Sequence, residues 1–288
     1  MSNTKYEQGL KLLRQPVLPL VSMVEFFTMT GSFATVGDIV KELPRPIETN
    51  YALYMDPAAL LAPYLDLLAG FVETPADEVS FRVVNENGGE LDPVVARNGW
   101  IKQQILTMEL EKINSALCGV CNCTLCCTGP SGEMVQEFFE IPLREGEPAA
   151  FGESPVVDNG ESRTRLPMDE DELIHEGLPF WADPQPTLIH WKKGWSLILP
   201  KKTCCPNLIP ENGRCRSYET RPSVCRRPQI FPYILEPLDD QAEEIPTHRL
   251  RNIILAITDC PYVNDLRDEI SAYIAACELE PLFMRNKQ

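Results

Sequence analysis

Two short stretches hold most of the thiols in this chain, and they restrict its fold more than any other feature. The first reads Cys118-Gly119-Val120-Cys121-Asn122-Cys123-Thr124-Leu125-Cys126-Cys127. The second opens at Cys204-Cys205-Pro206, passes through Cys215 and ends at Cys225-Arg226-Arg227-Pro228. Nine of the eleven cysteines lie in them, and 76 residues separate Cys127 from Cys204. Thiols this dense suit a site where several thiolates converge on a metal. An iron–sulfur cluster is most often held by four thiolates, and structural zinc takes four tetrahedral ligands. The expectation is therefore an iron–sulfur cluster of the 4Fe-4S type, with zinc as the alternative. Disulfides or thiol redox exchange form a further reading. Adjacent side chains diverge, so Cys126 and Cys127, or Cys204 and Cys205, need not face the same site. Nine clustered cysteines suit one site with spares, or two sites.

Charge and compartment narrow the classes. The net charge of -16 opposes broad contact with a nucleic-acid backbone, which needs dense positive charge. The first ten residues are polar and mixed, and the apolar stretch 17–29 is broken by Pro19 and Glu25. That pattern predicts neither a secretory signal nor a membrane span. The expected compartment is the cytoplasm, where thiols stay reduced and clustered cysteines favour metal over disulfides. Eleven is also an odd number, which leaves one thiol over in a fully bridged monomer.

The pattern predicts an α+β protein: an irregular cysteine-rich metal-binding core with short strands, flanked by N- and C-terminal helices. Residues 1–98 read as a helical arm with a hairpin. Asp56-Pro57 marks a helix start, and Asn87-Gly88-Gly89 a turn between strands at 79–84 and 90–95. Residues 99–235 read as the cysteine domain. It begins with a helix over 99–116, capped by Asn98, so that the first cluster lies just beyond a helix end. Strands are predicted at 134–143, 191–199 and 229–235. Between the first two lies a long acidic insertion, 145–183, with a short helix near 169–175. Residues 236–288 read as a helical segment packed on the core, with helices over 248–258 and 262–278.

A resemblance then becomes visible. Cys205-Pro206-Asn207-Leu208, Cys215-Arg216-Ser217-Tyr218-Glu219-Thr220-Arg221-Pro222 and Cys225-Arg226 resemble the second half of the YkgJ-type cysteine-cluster family. That family is described as a zinc- or iron-chelating domain, and is similar to the cysteine-rich part of flagellin lysine N-methylases. Cys123-Thr124-Leu125-Cys126-Cys127 matches the end of its first half. Val120 stands where the leading cysteine would be, with Cys121 as its replacement, and Pro228 follows Cys225 after three residues rather than four. The resemblance implies Cys123, Cys126, Cys127, Cys205, Cys215 and Cys225 as metal ligands. Cys121 joins them, with Cys118, Cys204 and Cys260 as additional candidates.

Tyr218, Glu219, Arg221 and Arg226 lie among these cysteines and can support them. Arginines there can donate to sulfurs and offset negative charge. His175, His190 and His248 lie outside the clusters. No Ser–His–Asp arrangement, paired acid/base site or glycine-rich phosphate loop stands out. The functional expectation is a metal-binding protein, redox or electron-transferring, with a protein partner and neither nucleic acid nor membrane as partner. The alternatives are a structural zinc interaction module and a metal-dependent modifying enzyme. The oligomeric state stays open.

Overall fold

The computed structural model describes residues 4–73, 75, 80–121, 123–152, 154–158, 174–175, 177–192, 194–227, 229–238 and 245–285. Its elements run α1 (Glu7–Leu13), α2 (Leu18–Thr30), α3 (Val36–Glu42), β1 (Ile47–Glu48), β2 (Leu53–Tyr54), α4 (Pro57–Leu61), α5 (Leu65–Glu73), β3 (Arg82–Val84) and α6 (Pro93–Cys121). There follow β4 (Phe138–Leu143), β5 (Val156–Asp158), β6 (Ile174–His175), β7 (Leu178–Pro179), β8 (Thr187–His190), β9 (Trp195–Pro200), β10 (Leu208–Ile209), β11 (Arg214–Cys215) and α7 (Ser223–Arg226). The chain ends with β12 (Ile230–Leu238), β13 (Thr247–Ile257), α8 (Pro261–Asp265), α9 (Arg267–Ala276) and β14 (Glu280–Met284). The class is α+β, as the pattern predicts. Two compact units divide it: Met1–Leu117 with Gln229–Lys287, and Cys118–Pro228.

The first unit is built around α6. Its buried positions Ile101, Ile105, Leu106, Leu110, Ile113 and Leu117 recur every three or four residues, which makes one apolar stripe. Each such side chain contributes roughly 1.5–3 kcal/mol when fully buried. Gly9 in α1 allows a close approach to that stripe: a Cβ there would lie 2.2 Å from a Leu117 methyl. Asp56 caps α4 by accepting from the Ala59 N–H at 3.3 Å, with Pro57 in the first turn, as the sequence predicts.

The tail departs from expectation. Residues 247–257 form strand β13, not a helix. β12 pairs antiparallel along it, while β3 and β14 pair parallel with its first and last parts. The run Leu250, Ile253, Ile254, Ile257 fits a helical stripe, yet Ile253 and Ile254 are β-branched, and pairing on both edges overrides the spacing. Helices α8 and α9 do follow at 261–276.

In the second unit, four strands pair in the order β4-β9-β8-β5. The β4–β9 and β8–β9 pairs are antiparallel and β5–β8 is parallel. Strand β9 is buried on both faces. Leu197 and Leu199 join Leu143, Phe151, Leu188, Cys205 and Leu208, whereas Ile198 joins Ile189 and Trp191 on the other side. The core of this unit is thus an apolar sheet packing, and the expected metal-binding core is corrected. The acidic run 169–172 lies outside the described residues.

Candidate functional site

The cysteine segments of the second unit are joined by backbone, not by a shared ion. Helix α6 runs on to Cys121, five residues beyond the predicted end, so Cys118 and Cys121 sit on its last turn. A 3-10 turn, Leu125–Cys127, follows; the Cys127 N–H bonds Thr124 O at 2.8 Å and the Leu125 N–H reaches the Cys123 sulfur at 3.4 Å. The chain then pairs with the second segment through an antiparallel bridge between Thr128 and Cys204. Cys205 donates its N–H to Cys127 O at 2.7 Å, and Gly129 donates to Thr203 O at 2.9 Å. Along the second segment Cys204 is exposed and Cys205 buried, as alternation in extended backbone requires.

Further turns bring in the remaining thiols. Leu208 pairs with Cys215 across the β10–β11 hairpin, and the Arg216 N–H bonds Asn207 O at 2.7 Å. Asn207 itself donates from its side chain to Ala150 O at 2.8 Å. Cys225 sits in α7, whose first N–H, from Ser223, is taken by Glu147 at 2.7 Å. Burial raises the Glu147 carboxyl, but the Arg144 and Ser223 N–H bonds outweigh it and leave the group lowered.

Arg221 holds the middle of this arrangement. Its guanidinium lies over the Tyr218 ring, 3.6 Å from the centroid. It donates to Tyr218 O at 2.8 Å and to Cys225 O at 3.3 Å, and it is 6 % exposed. Arg226 donates to Arg221 O at 3.2 Å. Glu219 is exposed on the turn between. Tyr218, Arg221 and Arg226 are thus held to one another and to the Cys225 carbonyl within this loop.

Burial dominates the thiols. It pushes Cys127 well above the ordinary range, and neighbouring Cys126, Cys205, Cys225 and Cys118 add to that. Cys225 is pushed up to about 12 by burial, with Cys205 and Cys215 adding and Arg221 opposing. Cys118 is raised by burial, against the Arg221 charge. Cys205 is also raised by burial, against the nearby backbone N–H groups of Asn207 and Leu208, which favour the thiolate.

These thiols are neighbours without being a ligand shell. Among the described residues, no group of three or more His, Cys, Asp or Glu side chains is arranged to hold a metal ion. The assignment of Cys121, Cys123, Cys126, Cys127, Cys205, Cys215 and Cys225 as iron–sulfur or zinc ligands is corrected accordingly, and with it the additional role of Cys118 and Cys204. The physical reason lies in the local backbone. Alternation on the ladder and the 3-10 turn aim adjacent thiols apart, with Cys126 and Cys204 exposed and Cys127 and Cys205 covered, whereas tetrahedral ligation needs four donors aimed at one point. Cys260 and Cys277 belong to the first unit and are buried in it. None of the eleven cysteines is in a disulfide.

Sequence reasoning missed a groove of about 660 Å³ beside the second cluster, lined by Phe151, Ser154, Gln185, Cys204, Cys205 and Arg216 among others. Six of its fourteen lining residues come from 149–155, read in the sequence only as part of a surface insertion.

Comparison with protein-family models, curated proteins and solved structures found no match. The resemblance to YkgJ-type cysteine-cluster proteins is therefore not supported, and the absence of a metal-holding group among the described residues overturns the chemistry it implied. Among the described residues, no helix is long and apolar enough to cross a membrane.

Proposed function

We propose that this chain is a thiol–disulfide redox protein whose working pair is Cys127 and Cys205. What supports it is the 2.7 Å backbone bond from the Cys205 N–H to the Cys127 carbonyl oxygen, beside the isolated bridge between Thr128 and Cys204. Around them stand Cys118 and Cys225, which are electrostatic neighbours of Cys127. Loss of two thiol protons and two electrons would join the pair. The electrons and protons pass to a disulfide of the reaction partner, which leaves as two thiols. A dithiol protein that restores the reduced form is the partner class this reading implies.

Treatment with hydroxyethyl disulfide, a small neutral oxidant, followed by alkylation and peptide mapping, tests the pair. A Cys127–Cys205 bond that reducing agent reopens is expected. Alkylation of both thiols after exhaustive oxidation would refute the assignment.

A further inference from the structure

The groove carries the argument one step further, on the basis of the dithiol reading above. Cys205 is 8 % exposed, yet its side lines the groove together with Cys204 and Arg216. A volume of about 660 Å³ falls in the range that holds small organic ligands. Phe151 and Leu208 supply apolar wall, while Ser154 and Gln185 supply polar groups. The Arg216 side chain is exposed, and among the described residues no carboxylate pairs with it. A cation at the rim and a cysteine among the lining residues define a narrow class of ligand.

We infer that this groove binds a small disulfide bearing carboxylates, which Arg216 anchors by a carboxylate while the sulfur–sulfur bond meets Cys205. Cys205 first gives up its proton to water and attacks one ligand sulfur as the thiolate. The ligand S–S bond breaks, a mixed disulfide forms on Cys205 and one ligand half leaves as thiolate. Cys127, likewise deprotonated, then attacks the Cys205 sulfur and releases the second half. The two released thiolates take up the two protons, and two electrons have moved from the protein pair to the ligand. The net charge of -16 opposes an anionic ligand at long range, but screening at about 0.1 M salt confines that effect to roughly 10 Å, so the local guanidinium decides.

The test compares two oxidants on the full chain: oxidised glutathione, which carries carboxylates, and neutral hydroxyethyl disulfide. The rate of Cys127–Cys205 bond formation is followed by quenched alkylation in wild type, Arg216→Gln and Arg216→Lys. The inference expects Arg216→Gln to slow oxidised glutathione about tenfold, as for one lost charge-assisted hydrogen bond, with the neutral disulfide unchanged and Arg216→Lys partly restoring the rate. Equal rates in all three variants with oxidised glutathione, while the neutral disulfide still forms the bond, overturn the groove assignment and leave the dithiol reading standing. Failure of both oxidants to form the bond overturns both.

Discussion

Cys205 donates its backbone N–H to the carbonyl oxygen of Cys127 across 2.7 Å, so the two cysteine segments meet at a fixed register. A bond between these side chains would close a chain interval spanning most of the second unit. Such closure stabilises by about 4 kcal/mol in the chain-entropy view. Oxidised wild type should therefore unfold its second unit at higher urea than the reduced protein. Cys127→Ser and Cys205→Ser should each abolish that difference, which tryptophan fluorescence against urea can follow.

Arg221 is ordered by a ring and two carbonyls. Arg221→Lys keeps the charge but loses the planar fork over Tyr218 and the simultaneous reach to Tyr218 O and Cys225 O. A loss of about 1.5–3 kcal/mol is expected. Faster alkylation of Cys118, which feels the Arg221 guanidinium, and of Cys225 should accompany it. An unchanged urea midpoint would show that the stack contributes nothing.

Gly129 follows the paired segment at its tightest point. A Cβ there would lie 2.1 Å from the Pro200 carbonyl oxygen and 2.8 Å from that of Leu199, and backbone atoms cannot turn aside. Gly129→Ala should separate the segments, weaken the Gly129 N–H bond to Thr203 O and cost on the order of 3 kcal/mol. Limited proteolysis within residues 118–228 should report it. Wild-type protease resistance would contradict the tight approach.

Glu109 makes the first unit sensitive to pH. Burial raises its carboxyl from an ordinary 4.5 to about 7, against hydrogen bonds from the Tyr273 hydroxyl and the Val17 N–H and the nearby Lys112 charge. The folded state thus holds this proton more tightly than the unfolded chain. The stabilising contribution is full below pH 4.5 and is lost as pH rises through about 7, a change on the order of 3 kcal/mol. Glu109→Gln can accept from Val17 and donate to Tyr273, and should flatten that slope. Urea midpoints between pH 5 and 8 measure it. An equal slope in both proteins would remove Glu109 as its source.

Part of this was legible in the residues. Asp56-Pro57 marks its helix because a capping carboxylate and a fixed φ act locally. The last helix of the tail follows from its spacing. Strand β13 was not legible, since its helix-like spacing is overridden by pairing with three strands, one of which, β3, is distant in sequence. Cysteine density misled about the chemistry of the second unit's thiols. Density is a property of the chain, whereas convergence depends on where a ladder and a 3-10 turn aim each side chain. The groove left no signal, because its wall at 149–155 meets Cys204 and Cys205 only through the fold.

The central claim is that Cys127 and Cys205 act as one redox pair, and its most direct test is an equilibrium titration in thiol–disulfide buffers with each cysteine read by differential alkylation. The account predicts that both thiols become protected together in a single two-electron transition, with a midpoint between roughly -300 and -120 mV, the range of labile rather than structural disulfides. Protection of either thiol without the other, or full alkylation of both across that range, would contradict it.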